Sequence, residues 1–164
     1  MLHDPAMLHD PTAIDRILGY ARTIAVVGLS SNEDRPSFRV AKYLLDHGFT
    51  IIPINPRETS VLGQTAYPRL ADVPVAVDVV DVFRAAEAVP EIAREAKEIG
   101  ARALWIQSGI VSQDGADIAV EAGIDIVMDR CLMVEHEMYA LRVATRARMM
   151  KNASSAPDSA VSGT

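Results

Sequence analysis

The sequence predicts one small α/β domain, a doubly wound Rossmann-like sheet of about five parallel strands with helices on both faces. Two observations predict it. Short apolar runs alternate with segments of helical periodicity, and glycines or prolines separate the two kinds of segment. Apolar runs without polar alternation are typical of strands that are buried on both faces. A chain of 164 residues is long enough to form one such domain with a substantial core.

The predicted strands are the apolar runs that stop at turn-forming residues. They cover residues 24–29, 49–54, 77–83, 103–107 and 124–128. Between the second and third strands, residues 55–75 contain several prolines and no clear periodicity, and they are interpreted as a loop.

The predicted helices show apolar residues at helical spacing. They cover residues 12–20, 37–47, 86–99, 113–122 and 135–149. Thr12 is a candidate N-cap, Gly48 a C-terminal cap, and Pro90 falls in the first turn of its helix. The domain is predicted to span residues 12–151, between a flexible tail at 1–11 and a disordered tail at 152–164.

Charge and cysteine content exclude several classes of protein. The formal net charge of −6 argues against nucleic-acid and anionic-membrane binding, which depend on phosphate neutralisation. The single cysteine, Cys131, excludes an internal disulfide and a multi-cysteine zinc site. No segment approaches the length of a membrane span. We therefore expect a cytoplasmic protein without a metal site.

Arginines follow the predicted strands, at the edge of the sheet where ligands of doubly wound domains bind. Four of the five segments that follow a strand contain one: Arg35, Arg57, Arg84 and Arg130. Guanidinium groups bind phosphate oxygens in pairs, so this bias indicates a ligand with several phosphate charges. The alternative is that arginine is simply common in surface loops.

The segment after the first strand differs from known phosphate loops. Gly28 allows a sharp turn, and Pro36 and Ser37 indicate a helix start, whose amides attract phosphate. Further glycines are missing, which argues against a dinucleotide fingerprint, and the absence of Gly-Lys-Ser/Thr excludes a P-loop. At the end of the second strand, Arg57 stands where a dinucleotide site usually has an acid. A cation there suits a phosphorylated ribose, as in NADP or coenzyme A, and disfavours NAD.

Several motifs resemble one family. They are VVGLS at 26–30, RPS at 35–37, PINP at 53–56, VDVFR at 80–84, WIQSGI at 105–110 and MDRCLMVEH at 128–136. Over residues 14–138 the chain is similar to small stand-alone CoA-binding proteins, whose fold resembles the CoA-binding domain of the succinyl-CoA synthetase alpha subunit. Ser108 departs from the pattern, because a larger apolar residue is expected there.

The resemblance implies coenzyme A as the ligand and a role for each segment of the sheet edge. Gly28, Leu29, Ser30, Arg35, Pro36 and Ser37 would surround the pyrophosphate. Asn55, Pro56 and Arg57 would border the adenosine and its 3′-phosphate, and Val82, Phe83 and Arg84 would line the adenine and ribose. Gln107, Gly109 and Ile110 would face the pantetheine, with Cys131 near its thiol.

Two residues near this edge could carry chemistry. A neighbouring cation and helix start could favour the Cys131 thiolate, which could then form a mixed disulfide with the CoA thiol; a buried structural cysteine is the alternative. His136 is a candidate general base, but the sequence supplies no serine or acid to act with it, and helix packing is the alternative.

The function that follows is CoA or acyl-CoA binding without chemistry of its own, as a carrier, a sensor or the partner of an acyl-CoA enzyme. The alternatives are an NADP-dependent oxidoreductase and a subunit of a multi-chain acyl-CoA ligase, and no complete catalytic set is visible. The last helix carries Met138, Leu141, Val143 and Met149, which form a candidate homodimer face.

Overall fold

A five-stranded parallel sheet forms the centre of the molecule. The structure is a computed structural model and describes residues 11–155. Within these residues the strands are β1 (Thr23–Val27), β2 (Thr50–Ile54), β3 (Ser60–Val61), β4 (Gln64–Thr65), β5 (Val79–Val82), β6 (Ala103–Ile106) and β7 (Asp125–Val127). The large sheet has the order β2-β1-β5-β6-β7, and every neighbouring pair is parallel. The predicted doubly wound sheet is confirmed.

Helices cover both faces of this sheet. Over the described residues they are α1 (Pro11–Tyr20), α2 (Pro36–Asp46), α3 (Val89–Glu98), α4 (Gln113–Glu121) and α5 (Leu132–Ser154). α1, α2 and α5 pack on one face, and α3 and α4 pack on the other. In β1, Ile24 and Val26 face the first group, whereas Ala25 and Val27 face the second. Because both faces of the strand are covered, apolar residues are favoured at successive positions, which explains the continuous apolar runs.

The ends of the elements differ from the predictions where local chemistry intervenes. α2 ends at Asp46 and is followed by Gly48 at φ +90°, as expected for a glycine that closes a helix. The helix predicted from residue 86 begins as a 3-10 turn, Ala86–Ala88, and becomes α-helical at Val89, with Pro90 in its first turn.

α5 is longer than predicted, because it begins at Leu132 and continues to Ser154. Alanine, arginine, methionine and lysine make up most of its second half and favour a helix. The predicted C-terminal tail from residue 152 therefore overlaps the helix end, and its remainder from 156 lies outside the described residues. The predicted N-terminal tail lies outside them too, apart from Pro11, which begins α1.

The segment predicted as a loop between β2 and β5 contains ordered structure. β3 and β4 form an antiparallel hairpin, and Leu70–Asp72 form a 3-10 turn. After the hairpin the chain runs beside the end of β2: the Tyr67 amide donates to the Pro53 carbonyl (2.9 Å), and the Asn55 amide donates to the Tyr67 carbonyl (3.0 Å). This segment therefore covers part of an outer strand of the sheet.

Candidate ligand site at the carboxyl edge of the sheet

A cavity of about 620 Å³ lies at the carboxyl ends of β1, β2 and β5. Ten of the residues predicted for a binding site line it, together with one that was not predicted. They are Gly28, Ser30, Arg35, Pro36, Ser37, Asn55, Pro56, Arg57, Glu58, Phe83 and Arg84. β1 lies between β2 and β5, and the connection after β1 runs toward β2 whereas the connection after β5 runs the opposite way, toward β6. Ligands bind at such a reversal in strand order in open α/β sheets.

Gly28 follows β1 and is in close contact with the chain at the ends of β2 and β5. Its amide donates to the Ile54 carbonyl at 2.9 Å, and its φ is +87°. A Cβ added there would lie 2.7 Å from the Phe83 carbonyl oxygen and 3.2 Å from Arg84 Nε. Because a real Cβ does not approach a backbone oxygen so closely, only glycine fits the positive φ and the contact together.

The start of α2 forms one wall of the cavity. Arg35 is its N-cap residue and makes no side-chain capping hydrogen bond. Ser37 is almost fully buried, and its Oγ accepts a hydrogen bond from the Ser30 amide at 3.2 Å. This bond folds the loop after β1 back onto the helix start. Backbone amides and the positive end of the helix dipole therefore face the cavity, an arrangement that attracts anions.

Three of the four predicted arginines line this cavity: Arg35, Arg57 and Arg84. Arg130 does not. Its Nη1 lies 3.9 Å from Glu135 Oε1, and its buried Nε has no hydrogen-bond partner. Three arginines and one glutamate are the charged residues of this lining, so the lining carries a net positive charge.

Glu58 is the lining residue that the sequence analysis missed. Its Oε1 accepts hydrogen bonds from the Ser31 hydroxyl (2.7 Å) and the Ser31 amide (3.1 Å), and these bonds lower the pKa of the Glu58 carboxyl. Asn55 makes a second link, because its Nδ2 donates to the Leu29 carbonyl at 3.0 Å. The loops after β1 and β2 are thus joined by side-chain hydrogen bonds across the cavity.

Two predicted site residues turn their side chains away from the ligand edge. Leu29 is fully buried in the core beneath α1, α2 and α5, and only its backbone carbonyl takes part in the loop contacts. Val82 is fully buried in the core beneath α3 and α4. The side chains of these residues support the sheet and do not line the cavity.

Gln107 also points inward, although it was expected to face the ligand. Its Nε2 donates to Asp81 Oδ1 at 2.5 Å, and its Oε1 accepts from the Leu132 amide at 3.4 Å. Asp81 is fully buried, and its Oδ2 has no hydrogen-bond partner. Burial raises the pKa of the Asp81 carboxyl from 3.8 to about 7, against the opposite effect of hydrogen bonds from Gln107 and the Val82 backbone. Gln107 thereby links a buried acid to the first residue of α5.

The other predicted residues lie further along the same edge, outside the cavity lining. The Gly109 amide donates to Asp129 Oδ1 at 2.7 Å, which joins the segments after β6 and β7. Ile110 and Cys131 are half-buried and pack against the two cores. The indole of Trp105 donates to the Arg130 carbonyl at 2.9 Å and holds the chain just before Cys131.

His136 is in a different environment from the one proposed for a general base. Its Nδ1 is 2.8 Å from the Tyr43 hydroxyl, and its ring lies edge-on to the rings of Tyr43, His47 and Phe49. It lines a second cavity of about 350 Å³ formed by the end of α2, α1 and α5. Burial lowers the pKa of His136. These contacts match the alternative interpretation of His136, packing between α2 and α5.

The part of the chain that the structure describes offers neither a metal-binding cluster nor a membrane-spanning helix. Residues 11–155 contain no cluster of three or more histidine, cysteine, aspartate or glutamate side chains suited to a metal ion. None of the helices described is both long enough and apolar enough to cross a membrane.

Comparison with known proteins identifies the family. A family model described as a CoA binding domain matches residues 22–137. The uncharacterized protein YneT of Bacillus subtilis is 39% identical over 123 residues, which are 75% of this chain and 91% of YneT. A hypothetical protein from Pyrococcus horikoshii OT3 is 35% identical, and its structure superposes with a TM-score of 0.79 over 85% of this chain and 99% of that protein.

A further relative is much larger than this chain. The ADP-forming acetate–CoA ligase II of Archaeoglobus fulgidus is 32% identical over 102 residues, which are 61% of this chain and 15% of the ligase. The similarity therefore concerns one small part of that enzyme. Since the family match covers most of the described residues, including every strand of the sheet and the whole cavity lining, the chain belongs to the CoA-binding domain family.

Proposed function

We propose that this protein binds coenzyme A or an acyl-CoA at the carboxyl edge of the sheet, as a carrier or sensor without chemistry of its own. One observation supports the proposal most strongly. Three arginines, Arg35, Arg57 and Arg84, line one cavity beside a helix start that has no side-chain cap. Coenzyme A carries a pyrophosphate and a 3′-phosphate, and it therefore offers these cations several negative groups.

In the proposed complex each part of the ligand meets residues suited to it. The pyrophosphate lies at the start of α2, near Ser30, Arg35 and Ser37, and accepts hydrogen bonds from amides and hydroxyls. The 3′-phosphate lies near Arg57, and Phe83 packs against the adenine. The pantetheine arm then follows the edge toward the ends of β6 and β7, and its thiol comes near Cys131.

A binding experiment with related ligands tests this proposal. Calorimetric titration with CoA, acetyl-CoA, dephospho-CoA, NADP and NAD should show the tightest binding for CoA or acetyl-CoA. Arg57→Ala should weaken CoA binding by about 1.5–3 kcal/mol, the usual cost of losing a hydrogen bond to a charged group. It should change dephospho-CoA binding little, because that ligand lacks the 3′-phosphate.

Arg94→Ala is the matched control for this titration. Arg94 lies on α3, is exposed, and pairs with Glu91 outside the cavity. We expect it to bind CoA like the unaltered protein. Binding of NADP without binding of CoA would overturn the proposal and favour an NADP-dependent oxidoreductase.

A second candidate is the CoA-binding part of a multi-chain acyl-CoA ligase. The similarity to a small part of an ADP-forming acetate–CoA ligase favours it. Affinity purification from native cells, followed by an assay for ATP-dependent acyl-CoA formation by the purified assembly, tests this role. If the chain binds CoA but the purified assembly forms no acyl-CoA, the carrier or sensor role is the conclusion.

A further inference from the structure

α5 presents an apolar stripe that nothing in the described chain covers. The helix has 23 residues and is about 34 Å long at 1.5 Å per residue. At 100° per residue, Val134, Met138, Leu141, Thr145 and Met149 fall within an arc of about 80°. These five residues, here called the α5 stripe, are all exposed, Leu141 and Met149 by 65% each.

The stripe is separate from the face by which α5 packs on its own domain. That packing face contains Leu132, Met133 and Tyr139, which contact the core beneath α1 and α2. From Val143 onward every described residue of the helix is exposed. Val143, which the sequence analysis grouped with the stripe, lies on the packing side of the helix, about 160° from the stripe's centre. The second half of α5 thus extends beyond the domain with an unpartnered apolar surface.

We propose that the α5 stripe binds the same stripe of a second copy of this chain, with the two helices antiparallel. In this arrangement Val134 lies opposite Met149, Met138 lies opposite Thr145, and Leu141 lies beside its own copy at the twofold axis. Each bulky residue then meets a stripe residue of the other helix, as a self-complementary twofold interface requires.

Charges beside the stripe favour this orientation. On one side of the stripe, Glu137 of each helix comes within about one turn of Arg148 of the other helix, so that two equivalent ion pairs can form. On the other side, Arg142 approaches its own copy near the axis. Its charge is offset by Asp15, which accepts a hydrogen bond from Arg142 and lies 4.0 Å from Arg146. In a parallel pair, the basic second halves of the two helices would lie side by side and their dipoles would point the same way, and both effects are repulsive.

One helix pair makes a small interface compared with the standard value of about 1,600 Å² for stable complexes. We therefore expect a reversible dimer that forms at micromolar to submillimolar protein concentrations. Sedimentation velocity over that range should show monomer converting to dimer. Leu141→Lys should abolish the dimer without loss of thermal stability, because Leu141 is already exposed in the monomer.

Val120→Lys is the matched control for this measurement. Val120 is 48% exposed on α4, on the other face of the sheet, so this lysine should leave the dimer intact. Glu137→Arg should weaken the dimer, and the double variant Glu137→Arg/Arg148→Glu should restore it. A wild-type protein that stays monomeric, or a Leu141→Lys variant that still dimerises, would overturn the proposal.

Disulfide trapping tests the orientation in a Cys131→Ser background. Leu141→Cys should form a symmetric crosslink under mild oxidation. Val134→Cys and Met149→Cys should crosslink with each other when mixed, but not with themselves. Self-crosslinking at both ends would show parallel helices and refute the antiparallel arrangement. A monomer in which Leu141→Cys reacts with maleimide only after removal of residues 1–10 would show that the chain's own N-terminal residues cover the stripe, which also overturns the proposal.

Discussion

Asp81→Asn should remove a pH dependence of stability that the buried Asp81 carboxyl imposes. Asp81 is fully buried on β5, next to Trp105 of β6, and its Oδ2 has no hydrogen-bond partner. The pKa of this carboxyl rises from 3.8 in the unfolded chain to about 7 in the folded protein. Between these two values the folded protein binds more protons than the unfolded chain, so its free energy of unfolding falls as the pH rises.

The size of this effect follows from the same two pKa values. At about 1.36 kcal/mol per pKa unit, the interval between 3.8 and about 7 corresponds to an upper limit of about 4 kcal/mol. This part of the free energy of unfolding is lost completely once the pH exceeds the pKa of Asp81 in the folded protein. Asparagine has the shape of the neutral acid, and its Oδ1 can still accept the Gln107 hydrogen bond, so the variant does not incur this loss.

Urea denaturation from pH 4.5 to pH 8.5, followed by Trp105 fluorescence, measures the effect. Trp105 is the single tryptophan and is fully buried, so its emission reports unfolding of the core. The quantity of interest is the difference in free energy of unfolding between Asp81→Asn and wild type, because other titrating groups cancel in it. This difference should increase by up to about 3 kcal/mol between the two ends of the range, because only the interval from pH 4.5 to about 7 contributes. Parallel curves for the two proteins would refute the reasoning.

Three further predictions concern stability and the ligand site. Gly28→Ala and Gly48→Ala each place alanine at a φ near +90°, which should lower the free energy of unfolding by about 1–2 kcal/mol. Only the Gly28→Ala methyl also meets a backbone carbonyl, so denaturant titration should show a further loss of about 1–3 kcal/mol for this variant. Equal losses would contradict this. Glu58→Gln keeps an acceptor oxygen but removes a negative charge from the cavity. Calorimetry should therefore show that CoA binds about two- to five-fold tighter. Weaker binding would argue against phosphate groups in this cavity. Since burial lowers the pKa of His136, the unfolded chain binds the extra proton below pH 6.5 and wild type should lose stability as the pH falls through that range. His136→Gln, which can still accept from Tyr43, should lose less, and an equal loss would contradict the assignment.

Much of the fold and of the candidate site could be predicted from the sequence, because both follow from periodicity. Strands buried on both faces are apolar at most positions, and this signal identified all five strands of the large sheet. In a parallel sheet the carboxyl ends lie at one edge, so residues far apart in sequence, such as Gly28, Asn55 and Arg84, were expected to meet. The structure brings these three to one cavity.

The rest depends on contacts that periodicity does not encode. Glu58 joins the cavity through hydrogen bonds to Ser31, and these require the exact paths of two loops. Gln107 turns inward because the buried Asp81 accepts its amide hydrogen bond. The burial of Val82 could have been predicted, because a side chain within a strand that is covered on both faces must lie in one of the two cores.

The segment that follows the β3–β4 hairpin also protects the sheet from unwanted pairing with other chains. β2 is an outer strand, and outer strands offer unpaired amides and carbonyls on which another chain can form a strand. Here Tyr67 takes up these groups at the end of β2, and Pro53 has no amide to offer. At the opposite edge, β7 has three residues, and Asp125 places a charge there. Concentrated samples of this protein should therefore resist amyloid-like aggregation through the sheet edges, and any self-association should instead involve its helices.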